Sequence, residues 1–292
     1  MRTKLVTSYY PYHSGEPFWG QGNRENWYRY SLANISNMGE IVCYTDDKGY
    51  NDLIQIKETY SLDNLTIKLY DLKDNPYQER VYKIRTDNAE LYNNPQNMGT
   101  YFRSTVIYWM KFIFLTMEYE PNINMYWIDS GLSHDGLFPP YANKYSEEGI
   151  DKEYKKYHFN KAFNPEVLEK INNYTEDKIV NLWRPQSDDN IGDFNRWLDL
   201  DTDYESVFPA GGFFGGRSDL LLEYVNKCKE MVERVLDKNQ VCSDQAILAY
   251  VNATNRHWFK NWKYDTFCHE GWTNVFQPHW ISFSHFFLKP LQ

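Results

Sequence analysis

Asn122-Ile123-Asn124-Met125-Tyr126-Trp127-Ile128-Asp129-Ser130-Gly131 is the stretch on which the reading of this chain turns. Its apolar run has the length and composition of a buried strand, and it stops at a carboxylate followed by turn residues. Just before it, Arg103 to Met117 (RSTVIYWMKFIFLTM) is apolar on most faces and long enough for a buried helix. A helix feeding a buried strand is the building unit of a parallel α/β sheet. A side chain just past the C-terminal end of such a strand stands where open α/β sheets bind ligands, which makes Asp129 the first candidate site residue. The competing reading is an Asp that caps the next turn with Ser130 and Gly131.

Outward from this stretch the same alternation continues. Lys4 to Tyr10 (KLVTSYY) reads as a first strand running into a polar, Gly-bearing loop, the usual opening of a nucleotide-binding α/β domain. Thr7 in this strand is a candidate donor contact, and Arg24 in the loop a candidate phosphate contact. Helix-compatible spacing follows over Trp27 to Met38, then strands over Glu40 to Thr45 (EIVCYT) and Leu65 to Leu72 (LTIKLYDL). Strands alternating with helical patterns predict a mainly parallel sheet with helices on its faces. The charged, Tyr- and Lys-rich region from Leu137 to about Leu182 reads as an insertion, lid or acceptor-side subdomain, with a capped helix beginning at Asn164-Pro165-Glu166. Leu221, Leu222, Val225, Met231, Val232 and Val235 suit an amphipathic helix over Ser218 to Leu236, capped by Ser218 or Asp219.

With 292 residues the chain suits one α/β domain with insertions. Its net charge of −9 and lack of a dense basic run argue against a nucleic-acid partner, which requires a phosphate-neutralising patch. Cys43, Cys228, Cys242 and Cys268 are widely spaced, without a CxxC pair, and fit reduced thiols rather than a zinc site or disulfide framework. The N-terminus shows no signal-peptide pattern and no stretch has the length of a membrane span, so a cytoplasmic location is expected, with peripheral membrane contact left open.

Two further segments carry candidate chemistry. In Ala210-Gly211-Gly212-Phe213-Phe214-Gly215-Gly216, four glycines let backbone amides approach a ligand while the rings form a wall, or they serve a tight strand-to-helix turn. Gly211, Gly212 and Phe213 are the candidate substrate contacts there. In Ser243-Asp244-Gln245-Ala246-Ile247-Leu248, Ser243 is a plausible N-cap, with Asp244 and Gln245 in the first helical turn. A carboxylate and an amide so placed can bind sugar hydroxyls or stabilise an oxocarbenium-like centre, or simply complete the cap. Lys111 and Arg103, on the helix before Asp129, can contact a diphosphate or snorkel to solvent.

Taken in order (helix, WIDSG, variable insert, AGGFFGG, amphipathic helix, SDQAIL, then Cys268-His269-Glu270-Gly271) these segments resemble GT-A-type glycosyltransferases, and are most similar to the bacterial HtrL/YibB family. The resemblance spans roughly residues 1–275, on motifs that total about twenty residues. It implies a Rossmann-like, mixed and mainly parallel sheet flanked by helices in one domain over 1–292, with a nucleotide-binding half (1–136), an insertion (137–200), and an acceptor-side half with tail (201–292). It further implies Asp129 and His269 as ligands of Mn²⁺ or Mg²⁺, and Asp244 and Gln245 as the pair facing the transferred sugar. The family's DxD is Asp129-Ser130-Gly131 here, so the second metal carboxylate is missing, and Asp135, six residues on, need not substitute for it.

The function expected is transfer of a sugar from a nucleotide-diphosphate donor to a glycan or other hydroxyl acceptor, within glycan biosynthesis. The alternatives are a non-catalytic nucleotide-sugar- or carbohydrate-binding protein on the same fold, and a glycoside hydrolase, which requires a carboxylate pair flanking the scissile bond.

Overall fold

In the computed structural model the described residues are 1–11, 31–88, 102–131, 163–185 and 207–259. Six strands form one sheet in the order β3-β2-β1-β4-β6-β5. They are β1 (Thr3–Ser8), β2 (Glu40–Thr45), β3 (Leu65–Leu69), β4 (Asn124–Ile128), β5 (Ile179–Pro185) and β6 (Val207–Arg217). β1 pairs in parallel with β2 and β4, and β2 with β3, whereas β6 runs antiparallel to both β4 and β5. The helices are α1 (Asp47–Tyr60), α2 (Gln78–Asp87), α3 (Phe102–Met117), α4 (Pro165–Thr175), α5 (Ser218–Asp237) and α6 (Asp244–Thr254), and residues 31–36 are also helical. The arrangement is an α/β, Rossmann-like sheet: β3-β2-β1-β4 is the opening order of a doubly wound fold, and it reverses direction between β1 and β4.

Because side chains alternate along a strand, each strand serves both faces of the sheet. Leu5, Ile41, Cys43, Tyr126, Ile128 and Phe213 pack with α1, α4 and residues 31–36 on one face. Val6, Val42, Tyr44, Met125, Trp127 and Phe214 pack with α2, α3, α5 and α6 on the other. Covering on both faces explains why β4 reads as an unbroken apolar run. It also explains α3, whose Trp109, Met110, Phe112 and Phe114 are all fully buried, packed among the sheet, α2, α5 and α6.

Three expectations change. AGGFFGG is not a turn: it is the interior of β6, paired with β4 through Ile128↔Phe213, Trp127↔Phe214 and Tyr126↔Gly215. Glycine is required because the neighbouring chains come too close for a Cβ. At Gly215, with φ +155°, an added Cβ would lie 2.2 Å from the Met125 carbonyl oxygen, and at Gly216 it would lie 2.2 Å from that of Lys178. Residues 163–185, which fall in the span read as an insertion, are built into the fold: Val167, Leu168 and Ile171 of α4 join the core, and β5 is one of the two edge strands of the sheet. Finally, neither Ser218 nor Asp219 caps α5. Arg217 holds the N-cap position without a side-chain cap bond, and the Ser218 N–H donates to the Ile123 carbonyl instead. Where the cap signal is local it holds: Asn164 Oδ1 accepts from the Glu166 N–H at 2.9 Å, ahead of Pro165.

Candidate functional site

The turn in strand order between β1 and β4 is where a sheet of this kind offers a crevice, and Asp129 follows directly on β4 at that place. Its backbone N–H donates to the Gly212 carbonyl at 2.8 Å, so β6 fixes the main chain of Asp129. Two residues back and on the same face, the Trp127 indole Nε1–H donates to Asp129 Oδ1 at 2.7 Å. Asp129 is thus fixed through its main chain by β6 and through its carboxylate by Trp127.

The charges around it come from α3 and α6. Lys111, only 2% exposed, donates from Nζ to the Gly211 carbonyl at 2.8 Å and to Asp244 Oδ2 at 2.5 Å. The same ammonium lies 3.9 Å from Asp129 Oδ1 and 5.3 Å from the centre of the Trp127 ring, a cation–π distance. The alternative that Lys111 snorkels to solvent is thereby overturned, because its partners all lie inward. Asp244 is the first residue of α6, behind Ser243, whose Oγ accepts from the Ala246 N–H at 3.3 Å. A carboxylate there gains from the helix dipole as well as from the lysine.

Gly211 closes this arrangement. A Cβ on it would fall 2.0 Å from Asp244 Oδ2 and 3.0 Å from Lys111 Nζ. The β5–β6 register jumps at this level, from Asn181↔Phe214 to Leu182↔Ala210, leaving Gly211 to Phe213 without partners on β5. Such a bulge frees backbone groups for other bonds and re-aims the strand, and here the Gly211 carbonyl turns to Lys111.

The two carboxylates differ in access. The Asp129 side chain is 41% exposed, and that of Asp244 is 7% exposed. Even so, burial is the main influence on the Asp129 carboxyl and raises its proton affinity above the ordinary range, with Asp244 adding to the rise while Lys111 and the Trp127 N–H oppose it. Water reaches the group, while the Trp127 indole and the Lys111–Asp244 pair stand on its protein side.

The expected site residues therefore separate. Asp129, Lys111, Asp244, Gly211 and Gly212 come together. Gln245 sits half-buried beside Asp244 on the first turn of α6, one residue round the helix. Phe213 is fully buried, stacked on Tyr126 with centroids 5.5 Å apart, and belongs to the core rather than to a ligand wall. Thr7 is fully buried on the opposite face, the one that carries Leu5, and its Oγ1 has no partner. The Arg103 side chain and all of Arg24, Asp135, His269 and Cys268 lie outside the described residues. Sequence reasoning missed Asn181, whose buried carboxamide has neither a donor nor an acceptor partner at the bulge. A lone Asn in a strand gives no signal of that.

The described residues do not fit Mn²⁺ or Mg²⁺ between the two carboxylates, since the Lys111 ammonium takes up that position and bonds Asp244 directly. Among the described residues there is also no group of three His, Cys, Asp or Glu placed to hold a metal ion. Cys43, Cys228 and Cys242 are buried free thiols. No described helix is long and apolar enough to cross a membrane. No protein-family model, curated protein or solved structure matches this chain.

Proposed function

We propose that this protein is a glycosyltransferase of GT-A type, moving a sugar from a nucleotide diphosphate to a hydroxyl of a glycan or other acceptor. The observation that carries the reading is Asp129: a solvent-reachable carboxylate at the strand-order reversal, pinned by Trp127 and backed by the Lys111–Asp244 pair. As the nucleotide diphosphate departs, the anomeric carbon gains oxocarbenium character, and a preorganised carboxylate stabilises that charge or takes the proton of the attacking hydroxyl. Asp244 acts at one remove, by setting the position of Lys111 and hence the field at Asp129. A glycoside hydrolase is disfavoured because it needs two open carboxylates, whereas Asp244 is closed by Lys111.

The test is hydrolysis and transfer measured over a panel of UDP-, GDP- and dTDP-sugars. Asp129→Asn should lower turnover about 10²-fold or more, the usual effect of removing one preorganised electrostatic group. The proposal fails if no donor turns over and none stabilises the protein against heat. Stabilisation without turnover, near the ~2.7 kcal/mol expected at a hundred times Kd, would instead support a non-catalytic nucleotide-sugar-binding protein. That second reading is favoured by a single observation, the closure of Asp244 by Lys111.

A further inference from the structure

We propose that the Lys111 ammonium is the built-in cation of this site, occupying the place between Asp129 and Asp244 that a divalent metal would otherwise take, so that ligand binding at the C-terminal end of β4 needs no Mn²⁺ or Mg²⁺. Every group that converges on Nζ is electron-rich: Asp244 Oδ2 at 2.5 Å, the Gly211 carbonyl at 2.8 Å, Asp129 Oδ1 at 3.9 Å and the Trp127 ring at 5.3 Å. Two carboxylates and a main-chain carbonyl are also the oxygen set a hard divalent ion uses. One cation excludes the other, because a metal bonded to these oxygens would stand within a few ångströms of the ammonium and be repelled by it.

The lysine has no easy way out. It is 2% exposed and its helix is anchored by fully buried Trp109, Met110 and Phe112 on either side in sequence. Gly211 closes the third side, with no room for even a Cβ between itself and Asp244. Among the described residues of this cluster the oxygen donor still open to solvent belongs to Asp129, and a single carboxylate is a weak divalent site.

That the ligand is a nucleoside diphosphate rests on the function proposed above, but the identity of the cation does not, and the experiment separates them. Mn²⁺ uptake by the full chain is followed by electron paramagnetic resonance, and UDP binding by calorimetry in EDTA and in Mn²⁺. The wild-type protein should take up no Mn²⁺ that Asp129→Asn abolishes, and UDP affinity should agree within about twofold between the two buffers. Lys111→Gln, which keeps the carboxylates and removes the charge, should gain one Mn²⁺ site that Asp129→Asn then removes. If Lys111→Gln does not fold, the wild-type titrations decide alone. Stoichiometric Mn²⁺ binding to the wild type that Asp129→Asn removes overturns the proposal, as does a fall in UDP affinity of about tenfold or more in EDTA. If UDP binds in neither buffer, GDP and dTDP are titrated in its place, and the donor reading fails only if none of the three binds, while the Mn²⁺ titration still decides the role of Lys111.

Discussion

Helix α3 and the residue just past its end bury two charged side chains seven positions apart, Lys111 and Glu118, and surround them in opposite ways. Glu118, 5% exposed, is one anion with an excess of donors. The Tyr44 hydroxyl donates to it, Lys68 pairs with it, and Lys4 lies 3.5 Å from its other oxygen while also donating to its carbonyl. Arg2, bonded to Glu40 and Glu120, completes the outer ring. Burial by itself would raise the Glu118 carboxyl, yet Lys68, Tyr44 and Lys4 outweigh it and hold the group below its ordinary value. Around Lys111 the balance is reversed, with one cation serving two carboxylates, and Asp129 is left with a raised proton affinity and an open side. A cluster with surplus partners serves the fold. One with a deficit leaves a carboxylate with an open side that a ligand can reach.

The contrast is broken most forcefully at Lys111. Lys111→Met leaves Asp244 buried without its cation, and a loss of about 3–5 kcal/mol is expected in denaturant unfolding, as for other buried pairs with one partner removed. A loss below about 1 kcal/mol would show that the pair is not desolvated as described. Next comes Gly211→Ala, whose methyl group collides with Asp244 Oδ2 and should cost about 1–3 kcal/mol. It should also reduce any donor binding, since it displaces the Lys111 contacts.

Smaller effects distinguish the two clusters through pH. Because the folded-state pKa of Glu118 is depressed, its contribution to stability is complete above the unfolded value of about 4.3 and is lost as pH falls through the folded value. Glu118→Gln should therefore flatten the acid limb of the stability curve, and an unchanged limb would remove Glu118 from the account. Asp129 has the opposite sign. Its raised folded-state pKa means that the wild type loses stability as pH rises from the unfolded value of about 3.9 through the folded one. Asp129→Asn should thus melt at an equal or slightly higher temperature at neutral pH while losing function. A clear drop in melting temperature would make Asp129 a structural residue and sink the comparison.

Legibility in the sequence follows the range of the interaction concerned. The EIVCYT strand, the α3 helix and the Asn164-Pro165-Glu166 helix start all lie where local pattern puts them, because propensity, periodicity and capping act over a few residues. Asp129 at the end of a buried strand was visible for the same reason. β6 was not, since its glycines are poor strand formers and only the close approach of β4 and of the main chain at Lys178 makes them necessary. Phe213 and Thr7 were misplaced because a sequence position does not say which face of the sheet is closed by helices. Lys111 read equally well as a snorkelling side chain, since a single charge on an apolar helix carries no record of its partners.

By itself, then, the sequence determined the alternation of strands and helices, the α/β class and the placing of an acid at a strand end, all of them consequences of short-range pattern. Tertiary structure alone decided that β6 runs antiparallel inside the sheet, and that Lys111 reaches partners 100 and 133 positions away in Gly211 and Asp244. The physical reason is that burying an ammonium depends on oxygens which only the packed α3, β6 and α6 bring within bonding distance of it.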